Sequence, residues 1–467
     1  MRRLSSYFIL SDRLKNGGYA VLSGLSGAIE LINESLYESF QQLIQTGNPH
    51  ELYIDESRFP SEIIETYQRR GLITELCHED EKTLLKRYSA ILHEHEKANP
   101  SLIIVPDLDC NYRCVYCFEK SMQTKLKSKR TTLSTDEVDA IYTSIEQLFP
   151  GTDITGKRIT LFGGEPLLSK NRDLVNYIIE KGKEKGIGFA AVTNGHDLNE
   201  YIPLLGEGQI SYMQITIDGP KDIHDRRRIA LDKSSSFDKI IENLRRVVLE
   251  TEAQITIRVN LDKENYDGFR ELLGVFEGEG WLNNSRIFVN AAIVYKTSAG
   301  EGAIPQHDIN SVRANLIDLT SAYSNVEIGC PQSTQRDMVF SSLTSNSPYT
   351  LRSSYCGASC GMYIFLPGGK ITSCWETIND ECSCVGSYSE NGLVLDEESL
   401  KHRFGRSAAE IPACADCRYC LVCSGGCSQF AEFETGSIYA PFCDGFPETY
   451  PWVLADAVEN FLKLGNL

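Results

Sequence analysis

The placement of cysteines constrains this chain more than any other feature of its sequence. Of the 16 cysteines in 467 residues, Cys110, Cys114 and Cys117 form one knot and eleven more fall between Cys356 and Cys443, which leaves Cys77 and Cys330 apart. The opening stretch MRRLSSYFILSDRLKNG has no long apolar run and no small-residue cleavage site, so the expected location is the cytoplasm, where thiols stay reduced. Crowded thiols in a reducing compartment point to metal ligation instead of disulfides. Cys77 and Cys330 are expected as small buried hydrophobes.

Charge and hydropathy narrow the partners. With 46 Lys and Arg against 64 Asp and Glu, the net charge is −18, which argues against an extended nucleic-acid footprint. No segment reaches the ~18 uninterrupted apolar residues of a spanning helix, so no membrane partner is expected. The length suits roughly two to four domains.

Residues 1–96 read as a small module of three strands followed by helices. Tyr7–Leu10 and Tyr19–Ser23 flank Lys15-Asn16-Gly17-Gly18, a hairpin signal because Asn and Gly tolerate positive φ. A third strand at Ile29–Ile32, helices at 34–47 and 61–70, and a charged helix at 79–97 follow. From Leu102 strands and helices alternate, with strands at Leu102–Val105, Arg158–Phe162, Gly188–Val192, Met213–Ile217, Gln254–Asn260 and Arg286–Ile293. Helices are expected at 134–148, opened by the capping box Ser134-x-x-Glu137, and at 171–185, 236–250 and 267–276. Six strand–helix units in series imply an α/β domain over 97–300 with a parallel sheet, either doubly wound or curved into a partial barrel. A bridging region, 301–355, and a cysteine-rich segment, 356–467, complete the chain. The stretch beyond residue 300 carries few long apolar segments, so metal clusters are expected to supply its cohesion.

The chemistry begins at Cys110-Asn111-Tyr112-Arg113-Cys114-Val115-Tyr116-Cys117, directly after the first strand of the α/β domain. Thiolates at i, i+4 and i+7 in one loop supply three ligands to a four-iron cubane and leave one iron open. The alternative is a zinc site missing one ligand in sequence. Further motifs sit at successive strand ends: Gly163-Gly164-Glu165-Pro166, Thr193-Asn194-Gly195, Thr216-Ile217-Asp218-Gly219-Pro220, then His224-Asp225-x-x-Arg228, with Arg258-x-Asn260 on the fifth strand. Ligands of parallel α/β sheets gather outside the carboxyl ends of the strands, where all of these lie.

In this order the motifs resemble the radical S-adenosylmethionine superfamily. The resemblance implies a (βα)6 partial TIM barrel and a 4Fe-4S cluster on Cys110, Cys114 and Cys117 that binds S-adenosylmethionine. It gives Gly163, Gly164, Glu165 and Pro166 the amino group of the methionine portion. Asn194, Thr216, Asp218 and Arg228 take its ribose and carboxylate, and Tyr116 stands near adenine.

The C-terminal pattern Cys356-x12-Gly369-x4-Cys374, Cys414-x2-Cys417-x5-Cys423-x3-Cys427 and Cys443 resembles the SPASM extension, which binds two auxiliary 4Fe-4S clusters. That resemblance implies one cluster on Cys356, Cys360, Cys374 and Cys427, and another on Cys414, Cys417, Cys423 and Cys443. Cys382, Cys384 and Cys420 have no place in it. Read by itself, Cys414 to Cys427 also suits a four-cysteine zinc knuckle.

The N-terminal module is similar to the winged-helix recognition element of enzymes that mature ribosomally made peptides. A precursor leader is then expected to pair as an added strand on a sheet edge, with Tyr19–Ser23 the candidate. The implied activity is hydrogen abstraction from a precursor peptide, followed by an intramolecular thioether or carbon–carbon cross-link. Electrons come from an external donor of flavodoxin or ferredoxin type. Two rivals are an anaerobic sulfatase-maturing enzyme that makes formylglycine, and a non-catalytic iron–sulfur carrier. No general base can be named from the sequence.

Overall fold

The structure, a computed structural model, describes all residues except 47–50, 120–130, 295–311, 313–315, 317–318, 321, 330–331, 379, 381–382 and 466–467. Cys330 and Cys382 therefore lie outside the described residues. The chain divides into two compact units: Met1–Pro100 with Gln332–Gly361 and Lys401–Leu467, and Ser101–Pro331 with Met362–Leu400. No helix among the described residues is long and apolar enough to cross a membrane.

The first unit opens with β1 (Arg3–Leu4), β2 (Phe8–Leu10), β3 (Tyr19–Ser23) and β4 (Ile29–Ile32), then α1 (Glu34–Thr46), α2 (Ser61–Arg69), β5 (Ile73–Thr74) and α3 (His78–Lys97). The hairpin forms as the sequence implies: Gly17 takes φ +86°, and Leu14 N–H donates to the Gly18 carbonyl at 2.8 Å. Phe8, Tyr19, Val21, Ile32, Phe40 and Tyr67 make a core under the sheet. The sheet order is β2-β3-β4, so Tyr19–Ser23 is the central strand, paired on both sides, and the expectation that it offers an edge is corrected. On the β2 side, Arg418 donates to the Phe8 carbonyl at 3.3 Å and the Tyr7 hydroxyl to the Ala415 carbonyl at 2.8 Å, so the cysteine-rich segment covers that edge. Among the described residues no strand pairs with the β4 side. Arg70 reaches the Ile29 carbonyl there, and strand alternation turns the Leu31 backbone the same way.

Buried polar contacts fix this unit. Arg3 and Glu81, each with a side chain 2% exposed, pair at 2.5 Å, and Glu81 also accepts from the Ser5 hydroxyl and Ser6 N–H. Nε2 of His93 on α3 meets the Phe404 carbonyl at 2.6 Å, and Nδ1 meets the Ser353 and Ser354 hydroxyls, which ties α3 to the segment entering Cys356. Cys77 is an exposed N-cap residue whose thiol donates to Asp80 at 3.1 Å, so the buried-hydrophobe expectation is corrected for it.

The second unit is built on one sheet. Its strands are β6 (Ser101–Ile104), β8 (Arg158–Leu161), β9 (Gly188–Thr193), β10 (Ile210–Thr216), β12 (Gln254–Leu261), β13 (Ile287–Ile293) and β14 (Val326–Gly329), all parallel, with β7 (Tyr112–Cys114) and β11 (Arg228–Ala230) forming a separate ribbon. From β6 to β14 the strands lie side by side in sequence order. Helices α4 (Thr135–Leu148), α5 (Arg172–Lys183), α6 (Ser236–Glu250) and α7 (Phe269–Gly278) bury their apolar faces in the same core as the strands. The Ser134–Glu137 capping box is present.

Beyond β6 the sheet continues through β15 (Met362–Leu366), parallel to it, then β16 (Lys370–Thr372), β17 (Cys384–Ser389) and β18 (Gly392–Leu395), antiparallel. Part of the cysteine-rich segment thus folds as sheet, because Met362-Tyr-Ile-Phe-Leu366 is a short apolar run that finds the free edge of β6.

Removing one partner of the Arg3–Glu81 pair leaves a buried charge uncompensated. Glu81→Ala is expected to cost about 3–5 kcal/mol, read as a fall in the thermal midpoint, whereas Leu31→Ala at the open edge is expected to leave it unchanged.

Candidate functional site

The expected site residues of the second unit come together at the carboxyl ends of β6, β8, β9 and β10. Their foundation is a backbone contact. Gly164 N–H donates to the Asp107 carbonyl at 3.2 Å and Glu165 N–H to the Asp109 carbonyl at 2.8 Å, so the Gly163–Pro166 turn lies flat on the segment that feeds Cys110. A Cβ on Gly164 would stand 2.4 Å from the Asp109 carbonyl oxygen and 2.5 Å from that of Leu108. Only glycine fits there. Asp107 holds the same segment from inside, accepting from Asp109 N–H at 2.9 Å and the Thr132 hydroxyl at 2.8 Å.

Glu165 is 2% exposed. Its Oε1 accepts from Leu167 N–H at 2.9 Å and the Thr193 hydroxyl at 2.6 Å, and its Oε2 from Asn194 N–H at 2.6 Å. Burial raises its pKa to about 7 against the opposing pull of those three bonds. Its carboxylate latches the β8 loop to the end of β9, and Pro166 is buried beside it. Asn194 Nδ2 donates to Asn111 Oδ1 at 2.7 Å and lies 3.9 Å from the Cys110 sulfur, while Thr216 is buried at the end of β10 opposite Arg258 of β12.

The cysteine loop contains a feature that sequence reasoning missed. Residues Tyr112–Cys114 pair antiparallel with Arg228–Ala230, setting Arg228 directly across from Cys114. The Arg228 guanidinium donates to the Tyr116 hydroxyl at 2.8 Å, and Tyr116 donates to Asp218. Burial opposes the Arg228 charge, but Tyr116, Cys114 and Asp218 outweigh that and hold its pKa above the ordinary value. Two residues of the His224 motif act as supports. Asp218 N–H donates to His224 Nδ1 at 3.2 Å, and Arg227 forks onto Asp262 at 2.7 and 3.1 Å.

The three thiols are half-buried. Cys110 accepts from Tyr112 N–H at 3.4 Å. Burial pushes the Cys114 thiol up, with Arg228 pulling it back, and pushes Cys117 up to about 11 with help from the Glu119 charge. Among the described residues no group of three or more His, Cys, Asp or Glu forms a site for a single metal ion. The donor set suits a thiolate-held cluster instead: three sulfurs from one loop, an N–H aimed at one of them, and an arginine to offset their charge.

In the first unit, Cys414, Cys417, Cys423 and Cys443 line one cavity of about 80 Å³, walled otherwise by Tyr419, Phe442 and Phe446. Cys420, which has no place in the sequence pattern, lines it too. Burial and mutual charge raise Cys414 and Cys423 to about 12. Thiols so crowded become stable thiolates only with a bound metal centre among them. Gly426, at φ +69°, would bring a Cβ within 1.9 Å of the Phe442 carbonyl, so glycine permits the close loop contact beside Cys443. Arg406 is fully buried and donates to the carbonyls of Ile438, Gly425, Gly426 and Ala440. Its positive charge faces Cys414, Cys427, Cys356 and Cys423. Of the other expected ligands, Cys356, Cys360 and Cys427 belong to this unit and Cys374 to the second.

Residues 105–275 match the family model of the Radical SAM superfamily. Those residues form a radical SAM domain. The chain is 22% identical over 358 residues to a cysteine-type anaerobic sulfatase-maturating enzyme of Clostridium novyi, covering 74% of this chain and 93% of that one. The radical SAM cyclopropyl synthase TigE of Paramaledivibacter caminithermalis is 20% identical over 464 residues, 93% of this chain and 91% of its own. Among solved structures, Streptococcus suis SuiB bound to precursor peptide SuiA shares the fold with a TM-score of 0.51 at 15% identity, over 94% of this chain and 98% of that one.

In this radical SAM domain, Gly164→Ala is expected to overpack the turn by about 1–3 kcal/mol. Iron content after anaerobic loading should fall by about four per chain with far-UV circular dichroism retained; full loading would show that the contact is dispensable.

Proposed function

We propose that the protein is a peptide maturase that abstracts hydrogen from a ribosomally made precursor and installs an intramolecular thioether or carbon–carbon cross-link. The observation that carries this reading is the N-terminal three-stranded sheet, with its β2 edge covered and its β4 edge open. A leader strand adding to β4 gains main-chain hydrogen bonds without needing much side-chain specificity. The similarities to TigE and SuiB extend over 93% and 94% of this chain, N-terminal module included, whereas the sulfatase-maturating relative matches 74%. Formylglycine formation is the second reading, favoured by that relative.

In this account the second unit is a partial barrel working in the cytoplasm. Cys110, Cys114 and Cys117 hold the site cluster, and Cys414, Cys417, Cys423 and Cys443 hold one of two auxiliary clusters. When bound, the site cluster supplies the electron that cleaves S-adenosylmethionine and releases the 5′-deoxyadenosyl radical. The protein's own contribution is placement. The Gly163–Gly164 turn and the β7–β11 ribbon fix the three thiols, Arg228, Tyr116 and Asp218 form a hydrogen-bonded chain beside them, and burial of these groups keeps water from reactive species. An auxiliary cluster would take the surplus electron that cross-linking leaves, and an external flavodoxin or ferredoxin would supply the first.

Residues 1–100 share a folded unit with residues 401–467, so deleting the module would strip a buried face. A point change is the better test. Leu31→Pro removes an outward N–H and leaves the β3 pairing intact. Expected are a roughly tenfold or greater loss of leader affinity, loss of the two-hydrogen mass change on co-expressed precursor, and unchanged uncoupled cleavage of S-adenosylmethionine. Unaltered leader binding would remove β4 as the recognition edge.

A further inference from the structure

Arg258, of the Arg258-x-Asn260 motif, is a partly buried cation without an anion in contact. Its strand, β12, sends Ile255, Ile257, Val259 and Leu261 into the core shared with the helices. Strand alternation therefore turns Arg258 and Asn260 to the opposite face of the sheet. Register sets Thr216 of β10, Arg258, and Asn290 of β13 in one row across that face. The row is locked to the loop after β10. Asn260 N–H donates to Asp218 Oδ1 at 3.1 Å, and Asn265 Nδ2 bridges the carbonyls of Asp218 and Asn260 at 2.6 and 2.7 Å.

Among the described residues, Nε of Arg258 donates to Asn260 Oδ1 at 3.0 Å and Nη1 to Asn290 Oδ1 at 3.4 Å, and Nη2 has no acceptor. Both partners are neutral. Burial pulls the pKa of this guanidinium below its ordinary value, against the charges of Asp218 and Tyr116. Asp218 is already taken, accepting from Tyr116 and from Asn260 N–H. Glu327 of β14 lies beyond Asn290 in the same row, two strands or about 10 Å away. Arg227, by contrast, forks onto Asp262 at 2.7 and 3.1 Å. The Nη edge of a planar guanidinium matches a carboxylate held by two parallel bonds, and here that edge is open. The expected cofactor contacts stand at the ends of β6, β8, β9 and β10 and on the ribbon, where Arg228 is paired across from Cys114. Arg258 lies one strand further from the cysteine loop than those strand ends, so the anion it lacks is the substrate's and not the cofactor's. We propose that Arg258 binds a carboxylate of the substrate peptide, an Asp or Glu side chain or the peptide's C-terminus, and so selects which part of the peptide faces the cofactor. This assignment rests on the peptide-maturase reading and gives that substrate a required charge.

The test uses anaerobically iron-loaded full-length protein with S-adenosylmethionine and no reductant, titrated with three short peptides by ligand-observed NMR. The peptides are acetyl-Ala-Asp-Ala-amide, its Asn counterpart, and acetyl-Ala-Ala-Ala with a free C-terminal carboxylate. The unaltered protein should hold at least one carboxylate peptide about tenfold or more tighter than the Asn peptide. Arg258→Gln should remove this preference and leave the affinity for S-adenosylmethionine unchanged. Whichever carboxylate peptide is favoured separates a side chain from a C-terminus. Equal binding of charged and neutral peptides by the unaltered protein, binding of none, or a preference that survives Arg258→Gln overturns the assignment. So does loss of S-adenosylmethionine affinity in that variant, which would give the guanidinium to the cofactor. Should Arg258→Gln not fold, Arg258→Lys decides in its place. It keeps the charge but not the fork, so the preference should fall several-fold, and an undiminished preference overturns the assignment. A carboxylate preference carried by Arg258, in a protein that leaves a co-expressed precursor unchanged in mass, would keep this site and remove the peptide-maturase reading.

Discussion

Everything at this site depends on one close backbone approach, that of Gly163 and Gly164 to residues 107–109. Three thiols in an eight-residue loop do not by themselves point at a common centre. The loop is held from two sides: the glycine turn presses on its entrance, and the two-stranded ribbon with Arg228–Ala230 grips its middle. Both contacts are made by backbone, which leaves the cysteine side chains free for iron and the strand-end side chains free for a ligand.

The buried charges follow a common logic. Arg228 faces Cys114 without a carboxylate in direct contact, and Arg406 faces four cysteines while its donors are taken by carbonyls. Each is a buried cation that faces cysteine sulfurs, and each is compensated when those sulfurs are thiolates. Structural ion pairs in the same molecule behave differently. Arg3 and Glu81 are satisfied by one another together with nearby serines and backbone carbonyls.

Local signals in the sequence were easily read. The Asn16-Gly17 hairpin, the Ser134–Glu137 capping box and the near-continuous apolar strands all depend on residues close in the chain. What eluded the sequence depended on distant neighbours. Tyr19–Ser23 looks like any edge strand until the sheet order places β4 beside it. Tyr112-Arg-Cys114 is too short to show a period of two, and its partner lies more than a hundred residues away. The strand Met362–Leu366 sits among cysteines and glycines, so composition hid its membership of the main sheet.

The central claim is that one loop gives three thiolates to a four-iron cluster and leaves the fourth iron to S-adenosylmethionine. Mössbauer spectra of anaerobically iron-loaded protein, with and without S-adenosylmethionine, test it most directly. The account predicts that the ligand shifts a single iron subsite, and that this shift is absent after Cys114→Ala while the auxiliary iron remains. A spectrum unchanged by the ligand, or zinc bound at the loop in place of iron, would contradict it.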